Sequence, residues 1–210
     1  MTSVCTLLND PETSTFTNQA KTEAAEGEII CGGIDQSKYS GELASLPIVQ
    51  SPTGRPDLTV AWTSLKVYKG QEILWQPGQQ PAVTSLDNGP ATLLDSGTTL
   101  IYVPQDVLAL LAAVFEAQEV NGEYYAACAG ANADISVEFI FVGGTGSVVV
   151  PASQMFRLSS DTTSQVCQFG FQPSTDPNNP YILGDIFLTS AYLVYDFDAY
   201  TISMAQAKWW

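Results

Sequence analysis

The sequence predicts a mostly-β fold on three observations: its dominant apolar period is two, only two stretches carry a helical pattern, and turn-forming residues cluster between the candidate strands. In chain order, strands are expected at 27–32, 58–68, 135–141, 146–150, 167–171 and 191–196. The clearest is 135–141, where Ile135, Val137, Phe139 and Phe141 fall on one face of a half-buried strand. Asn121-Gly122, Gly143-Gly144 and the Pro-rich stretch 173–180 supply turn chemistry between them. Residues 10–27, polar and acidic, read as a long exposed loop joining two strands. The main helix is expected over 104–118, with Pro104 suited to the first turn and Val107, Leu108, Leu111, Val114 and Phe115 forming a core-facing stripe. Residues 151–156 are expected to make one short helical turn.

Composition excludes several chemistries. The 210 residues carry 22 acidic and 7 basic side chains and no histidine, for a formal net charge of −15. Without imidazole, the chain alone offers no histidine-activated serine or cysteine nucleophile and no histidine-ligated zinc or haem. Acid–base catalysis by this chain therefore falls to carboxylates. The charge argues against nucleic acid as a partner, because affinity for phosphate backbones comes from clustered Lys and Arg. With 45% hydrophobic residues the chain can bury a core. The longest apolar runs, such as 107–115, are far short of the roughly 20 residues that span a bilayer. The first ten residues have neither the basic region nor the apolar stretch of a signal peptide. Cys5, Cys31, Cys128 and Cys167 lack CxxC spacing and histidine companions, so no metal site is expected and two disulfides are open to the chain. Disulfides imply an oxidising compartment, which conflicts with the missing signal unless an amino-terminal part of the natural product has been removed.

The stretch that could carry chemistry is Leu93-Leu94-Asp95-Ser96-Gly97-Thr98-Thr99. An acid follows an apolar strand, and then comes a turn that Gly97 allows to be tight and that hydroxyls flank. Turn amides and hydroxyls there can hydrogen-bond the charged carboxylate. Taken bare, Asp-Ser-Gly is weak evidence and reads first as an Asx-type turn around a satisfied Asp.

The longer block Leu-Leu-Asp-Ser-Gly-Thr-Thr-Leu-Ile-Tyr-Val-Pro, residues 93–104, resembles the second active-site motif of pepsin-like aspartic proteases. Two further blocks in family order strengthen the resemblance. Ile30-Cys31-Gly32-Gly33-Ile34-Asp35 is similar to the family's Phe-Gly-Gly-Ile-Asp segment, and Ile182-Leu183-Gly184-Asp185-Ile186-Phe187 to its carboxy-terminal signature. The likeness runs from about residue 4 to residue 208 and is strongest to the fungal secreted and yapsin-like branches. It implies the carboxy-terminal lobe of the bilobal acid protease fold over residues 1–210, with one main helix after the active-site loop.

The resemblance also implies roles. Asp95 would be one of two catalytic aspartates, with Ser96, Gly97 and Thr98 supporting it and Gly97, Thr98 and Thr99 contacting substrate backbone. Leu93 and Ile182 would line neighbouring subsites, and 182–184 would pass behind the active-site loop. Cys128 and Cys167 occupy the places of the family's carboxy-terminal-lobe disulfide, a link worth roughly 3 to 4 kcal/mol in the chain-entropy account. Cys5 and Cys31 depart from the family pattern and read either as a cross-strand bridge or as two buried thiols. No cofactor or metal is implied; a secreted, extracellular or vacuolar setting is.

Pepsin-like catalysis needs two aspartates sharing a proton around one water, and this sequence holds a single Asp-Ser/Thr-Gly, at Asp95. Three expectations follow. The chain is an endopeptidase lobe, inactive alone and completed by an amino-terminal lobe; or a catalytically silent binding or inhibitor-like module; or a homodimer that builds its own dyad.

Overall fold

The computed structural model describes residues 4–9, 27–50, 58–83, 89, 91–141, 146–158, 165–175 and 181–208. The loop expected after the first strand, the Gly143-Gly144 turn and the end of the Pro-rich stretch lie outside these residues.

β1 (Val4–Asn9) and β2 (Gly27–Cys31) pair antiparallel. Cys5 lies directly opposite Cys31 in the register, and the two form a disulfide, which decides between the two readings of that pair. A 3-10 turn at Gln36–Lys38 is capped by the Asp35 carboxylate, which accepts from the Ser37 amide, and Lys38 reaches back to pair with Glu28. β3 (Tyr39–Pro47), β4 (Thr59–Lys69) and β5 (Glu72–Trp75) follow. β6 (Ala91–Leu94) and β7 (Ile101–Val103) flank the Asp-Ser-Gly turn.

α1 (Gln105–Phe115) starts immediately after Pro104, whose φ of −54° suits a helix start. It stops at the last residue of the apolar stripe, short of the expected end at 118, where Glu116 turns left-handed at φ 54° and the Ala117 amide closes onto the Ala112 carbonyl. β8 (Gln118–Val120) and β9 (Glu123–Ala127) make a hairpin through Asn121-Gly122, both at positive φ, as a tight turn between twisted strands requires. β10 (Ile135–Phe141) spans the expected seven residues, with Val137, Phe139 and Phe141 fully buried. β11 (Ser147–Pro151) leads into a 3-10 turn at Ala152–Gln154 and then β12 (Phe156–Leu158).

The single strand expected at 167–171 is two, β13 (Val166–Phe169) and β14 (Phe171–Pro173), divided at Gly170. A side chain at Gly170 would run into the Met155 carbonyl and Ile186. β15 (Tyr181–Leu183) gives way at Gly184 to a four-residue helix, α2 (Asp185–Leu188), and the chain ends in β16 (Ala191–Asp196) and β17 (Thr201–Ala207).

The described strands form three sheets. Five run in the order β2-β1-β16-β17-β3, four in the order β12-β13-β9-β8, and eight in the order β11-β10-β4-β6-β15-β7-β14 with β5 on the side of β4. The core lies under the largest sheet, where Trp62, Phe139, Phe141, Phe169, Phe171 and Phe187 pack with Leu108 and Leu111 of α1. Phe139 stacks on Phe171 and meets Phe187 edge-on, a geometry that suits aromatic quadrupoles. Cys167, fully buried, is joined to Cys128 and ties β13 to the 3-10 turn after β9. Among the described residues no helix is long and apolar enough to cross a membrane.

Candidate active site

The chain leaves β6 at Leu94 and turns at Asp95-Ser96-Gly97-Thr98 before re-entering the sheet as β7. The turn organises itself around the acid. The Gly97 amide donates to Asp95 Oδ1 at 2.9 Å, the Thr98 hydroxyl donates to Oδ2 at 2.6 Å, and the Thr98 amide donates to the Asp95 carbonyl at 3.2 Å. Each carboxylate oxygen thus has one fixed donor, and Asp95 remains partly open to solvent. The Asx-type turn and the oriented acid are therefore one object: the hydrogen bonds that satisfy the carboxylate also fix its plane.

Ser96 takes no part in this. It is exposed, and among the described residues no hydrogen bond joins its side chain to the carboxylate; the Gly97 amide occupies the place expected for a hydroxyl.

The turn is held from behind by β15, which lies between β6 and β7, parallel to the first and antiparallel to the second. The Asp95 amide donates to the Leu183 carbonyl at 3.1 Å, the Asp185 amide to the Thr98 carbonyl at 2.8 Å, and the Ile186 amide to the Thr99 carbonyl at 3.1 Å. Gly184 is required by space: a Cβ there would collide with the carbonyl oxygens of Thr98 and Leu100. Leu93 and Ile182 are register partners in the parallel β6/β15 pair, so they share a face; both are half-buried, while Leu94 and Leu183 point into the core.

Sequence reasoning missed the amides of α2 and the Asp185 side chain. Burial pushes the Asp185 carboxyl above the ordinary carboxylate range, the Arg157 guanidinium pulls it partly back, and the charge of Asp95 pushes it up further. The Gly-Asp step after an apolar run was the available signal, since an acid suits the first turn of a helix. Among the described residues, no group of three or more Cys, Asp or Glu is arranged to hold a metal ion.

The family model described as eukaryotic aspartyl protease matches residues 5–207. The chain belongs to that family. Among curated relatives, Aspartic proteinase 3 of Saccharomyces cerevisiae is 37% identical over 89% of this chain and 31% of its own length. Barrierpepsin of the same yeast is 33% identical over 96% of this chain and 31% of its own length. Candidapepsin-3 of Candida albicans is 37% identical over 89% of this chain and 42% of its own length. The chain thus spans between about a third and two-fifths of the length of these aspartyl proteases.

Proposed function

We propose that this chain is the carboxy-terminal lobe of an aspartic endopeptidase, residues 1–210, with Asp95 as one of the catalytic pair and the second aspartate supplied by an amino-terminal lobe. The observation that carries the reading is the Asp95 carboxylate, partly open to solvent at a strand end and held by the Gly97 amide and the Thr98 hydroxyl. Such a carboxylate can share a proton with a like partner facing it, because two acids in contact do not both ionise. A water between them then loses a proton to the ionised member as it attacks the peptide carbonyl. The protonated member gives its proton to the carbonyl oxygen; as the tetrahedral intermediate collapses, the proton taken from water passes to the amide nitrogen, which leaves as the amine, and a diol proton returns to the second carboxylate, with no covalent enzyme adduct.

Leu93 and Ile182, adjacent on one face beside Asp95, would line apolar subsites, and Gly97, Thr98 and Thr99 would meet the substrate backbone. The carbonyls of Thr98 and Thr99 already accept from α2, which leaves the Gly97 carbonyl and the Thr99 amide and hydroxyl as the groups for that contact. The two disulfides suit an oxidising compartment, extracellular or vacuolar, and one relative's name is Secreted aspartic protease 3.

The test is Asp95→Asn in the enzyme completed with an amino-terminal lobe. Loss of peptide cleavage by roughly a thousandfold with unchanged thermal stability supports the assignment. Retention of activity would refute it.

A further inference from the structure

Of the two disulfides, one lies where solvent reaches it. Cys5 of β1 and Cys31 of β2 stand directly opposite each other, at the outer end of a row that runs Cys31, Cys5, Tyr195, Ile202, Leu46 across the five-stranded sheet. Ile202 and Leu46 are in the core, Cys5 is half-buried and Cys31 is exposed. β2 ends the sheet, paired with a strand on one side only among the described residues. Its side chains gain little from burial: Glu28 and Cys31 are exposed, and Ile29 is 69% exposed. Besides its ladder with β1, the strand is fastened by the Thr6 hydroxyl donating to the Ile30 carbonyl at 3.2 Å, by the Gly32 amide donating to the Val4 carbonyl at 2.8 Å and by the Glu28–Lys38 ion pair. Cys128–Cys167 is built the other way, with Cys167 fully buried in β13 between two paired strands.

We propose that Cys5–Cys31 is a thiol-exchange site, opened by a dithiol reductant while Cys128–Cys167 stays closed, and that its opening releases β2 from the sheet. A thiolate of the reductant attacks the exposed Cys31 Sγ: a sulfur–sulfur bond forms to Cys31, the Cys5–Cys31 bond breaks, and Cys5 leaves as a thiolate at a half-buried position where water can protonate it. The reductant's second thiolate then attacks its own linked sulfur, closing a cyclic disulfide and releasing Cys31 as the second thiolate. Two electrons pass to the bridge, and the dithiol is oxidised to a disulfide. The same exchange at Cys128–Cys167 must either bring the nucleophile to a sulfur inside the core or leave a charged thiolate there, and an unpaired charge in the core is costly. Once the bridge is open, the β1–β2 ladder alone has to close the 26 positions that separate the two cysteines, with few apolar contacts to help it. None of these steps involves Asp95, so the site stands apart from the catalytic reading.

The test is graded reduction of the oxidised, folded chain with dithiothreitol at neutral pH, followed by alkylation of the freed thiols and peptide mass mapping. Cys5 and Cys31 are expected to become alkylated about tenfold or more faster than Cys128 and Cys167. Hydrogen exchange on the selectively reduced chain should then show the β2 amides losing protection while those of β10, flanked by strands on both sides, keep theirs. The double variant Cys5→Ser, Cys31→Ser should show the same β2 exchange with no reductant present. Opening of both pairs together, earlier opening of Cys128–Cys167, or a Cys5–Cys31 bridge that resists until the chain unfolds would overturn the site. Selective opening with β2 as protected as in the oxidised chain would overturn the release of the strand.

Discussion

Asp95 takes both of its orienting hydrogen bonds from groups within three residues of itself, the Gly97 amide and the Thr98 hydroxyl. That locality is why the acid was legible from the sequence: a short motif contains its own geometry. A hydrogen bond to a charged acceptor is worth about 1.5 to 3 kcal/mol, so Thr98→Val is expected to lower kcat of the completed enzyme by about tenfold or more. Thr98→Ser, which keeps the donor, should restore most of it. Equal activity in the valine and serine variants would show that the hydroxyl does not orient the acid. Ser96 was misread because its neighbour's backbone supplied the donor that a hydroxyl was expected to supply, and a motif does not specify which of two nearby donors wins. Asp185 was illegible for a different reason: it lies 90 residues along the chain, and only the parallel pairing of β15 with β6 brings it behind the turn.

Period-two patterning found β10 and β16 within a residue, because each offers a run long enough for strand geometry to be the natural way to bury it. It could not reveal that β16 is buried on both faces: Leu193 and Tyr195 pack into the main core while Tyr192 and Val194 join a second cluster with Val4, Tyr39 and Leu43. Tyr39 stacks on Tyr192 at 4.9 Å, and the Tyr192 hydroxyl accepts from the Asp35 amide, so the segment Gly32–Asp35 is fastened to the middle of the five-stranded sheet. α2 escaped prediction because four residues are too few to display a helical period.

Buried polar links between elements were also beyond the sequence. Gln172, almost fully buried in β14, accepts from the Tyr124 amide at 3.0 Å and donates to the Phe169 carbonyl at 2.8 Å, clamping β9 to the main sheet. Gln172→Leu would leave those backbone groups unpaired in the core. It is expected to cost about 2 kcal/mol in denaturant unfolding, and a loss of a few tenths or less would show that the clamp is replaceable. Gln206 plays a related part at the surface, exchanging hydrogen bonds with the amide and carbonyl of Val149 on edge strand β11 while also reaching the Ser190 carbonyl. It covers backbone that would otherwise offer an open edge.

At the scale of the whole molecule, the −15 charge at neutral pH acquires a specific consequence. Acidification neutralises carboxylates and relieves their mutual repulsion, and Asp185 acts in the same direction. Its folded-state pKa lies above the ordinary value, so its contribution to stability is complete below that value and is lost as pH rises through the folded one. Asp35 works oppositely, its carboxylate stabilised by the Ser37 hydroxyl and amide, but it is solvent-exposed. Burial raises Tyr195, Tyr68 and Tyr181, and the Glu123 carboxylate raises Tyr125; these groups stabilise the fold below about pH 10 and cease to as pH rises through their folded values. The melting temperature is therefore expected to be higher near pH 4 than near pH 8 and to fall again above about pH 10. A melting temperature that climbs from pH 4 to pH 8 would contradict this.

The absence of histidine fits the same picture, since a carboxylate-only mechanism needs no imidazole. One Asp-Ser-Gly in a chain that covers 31% to 42% of its relatives' length is the observation behind the claim of half a catalytic pair. The most direct measurement is cleavage of a denatured protein near pH 4 by this chain alone and after addition of an amino-terminal lobe. The chain alone is expected to give no cleavage and the mixture pepstatin-sensitive cleavage. Cleavage by the chain alone, as a homodimer would give, or none from the mixture, as a silent module would give, would contradict it.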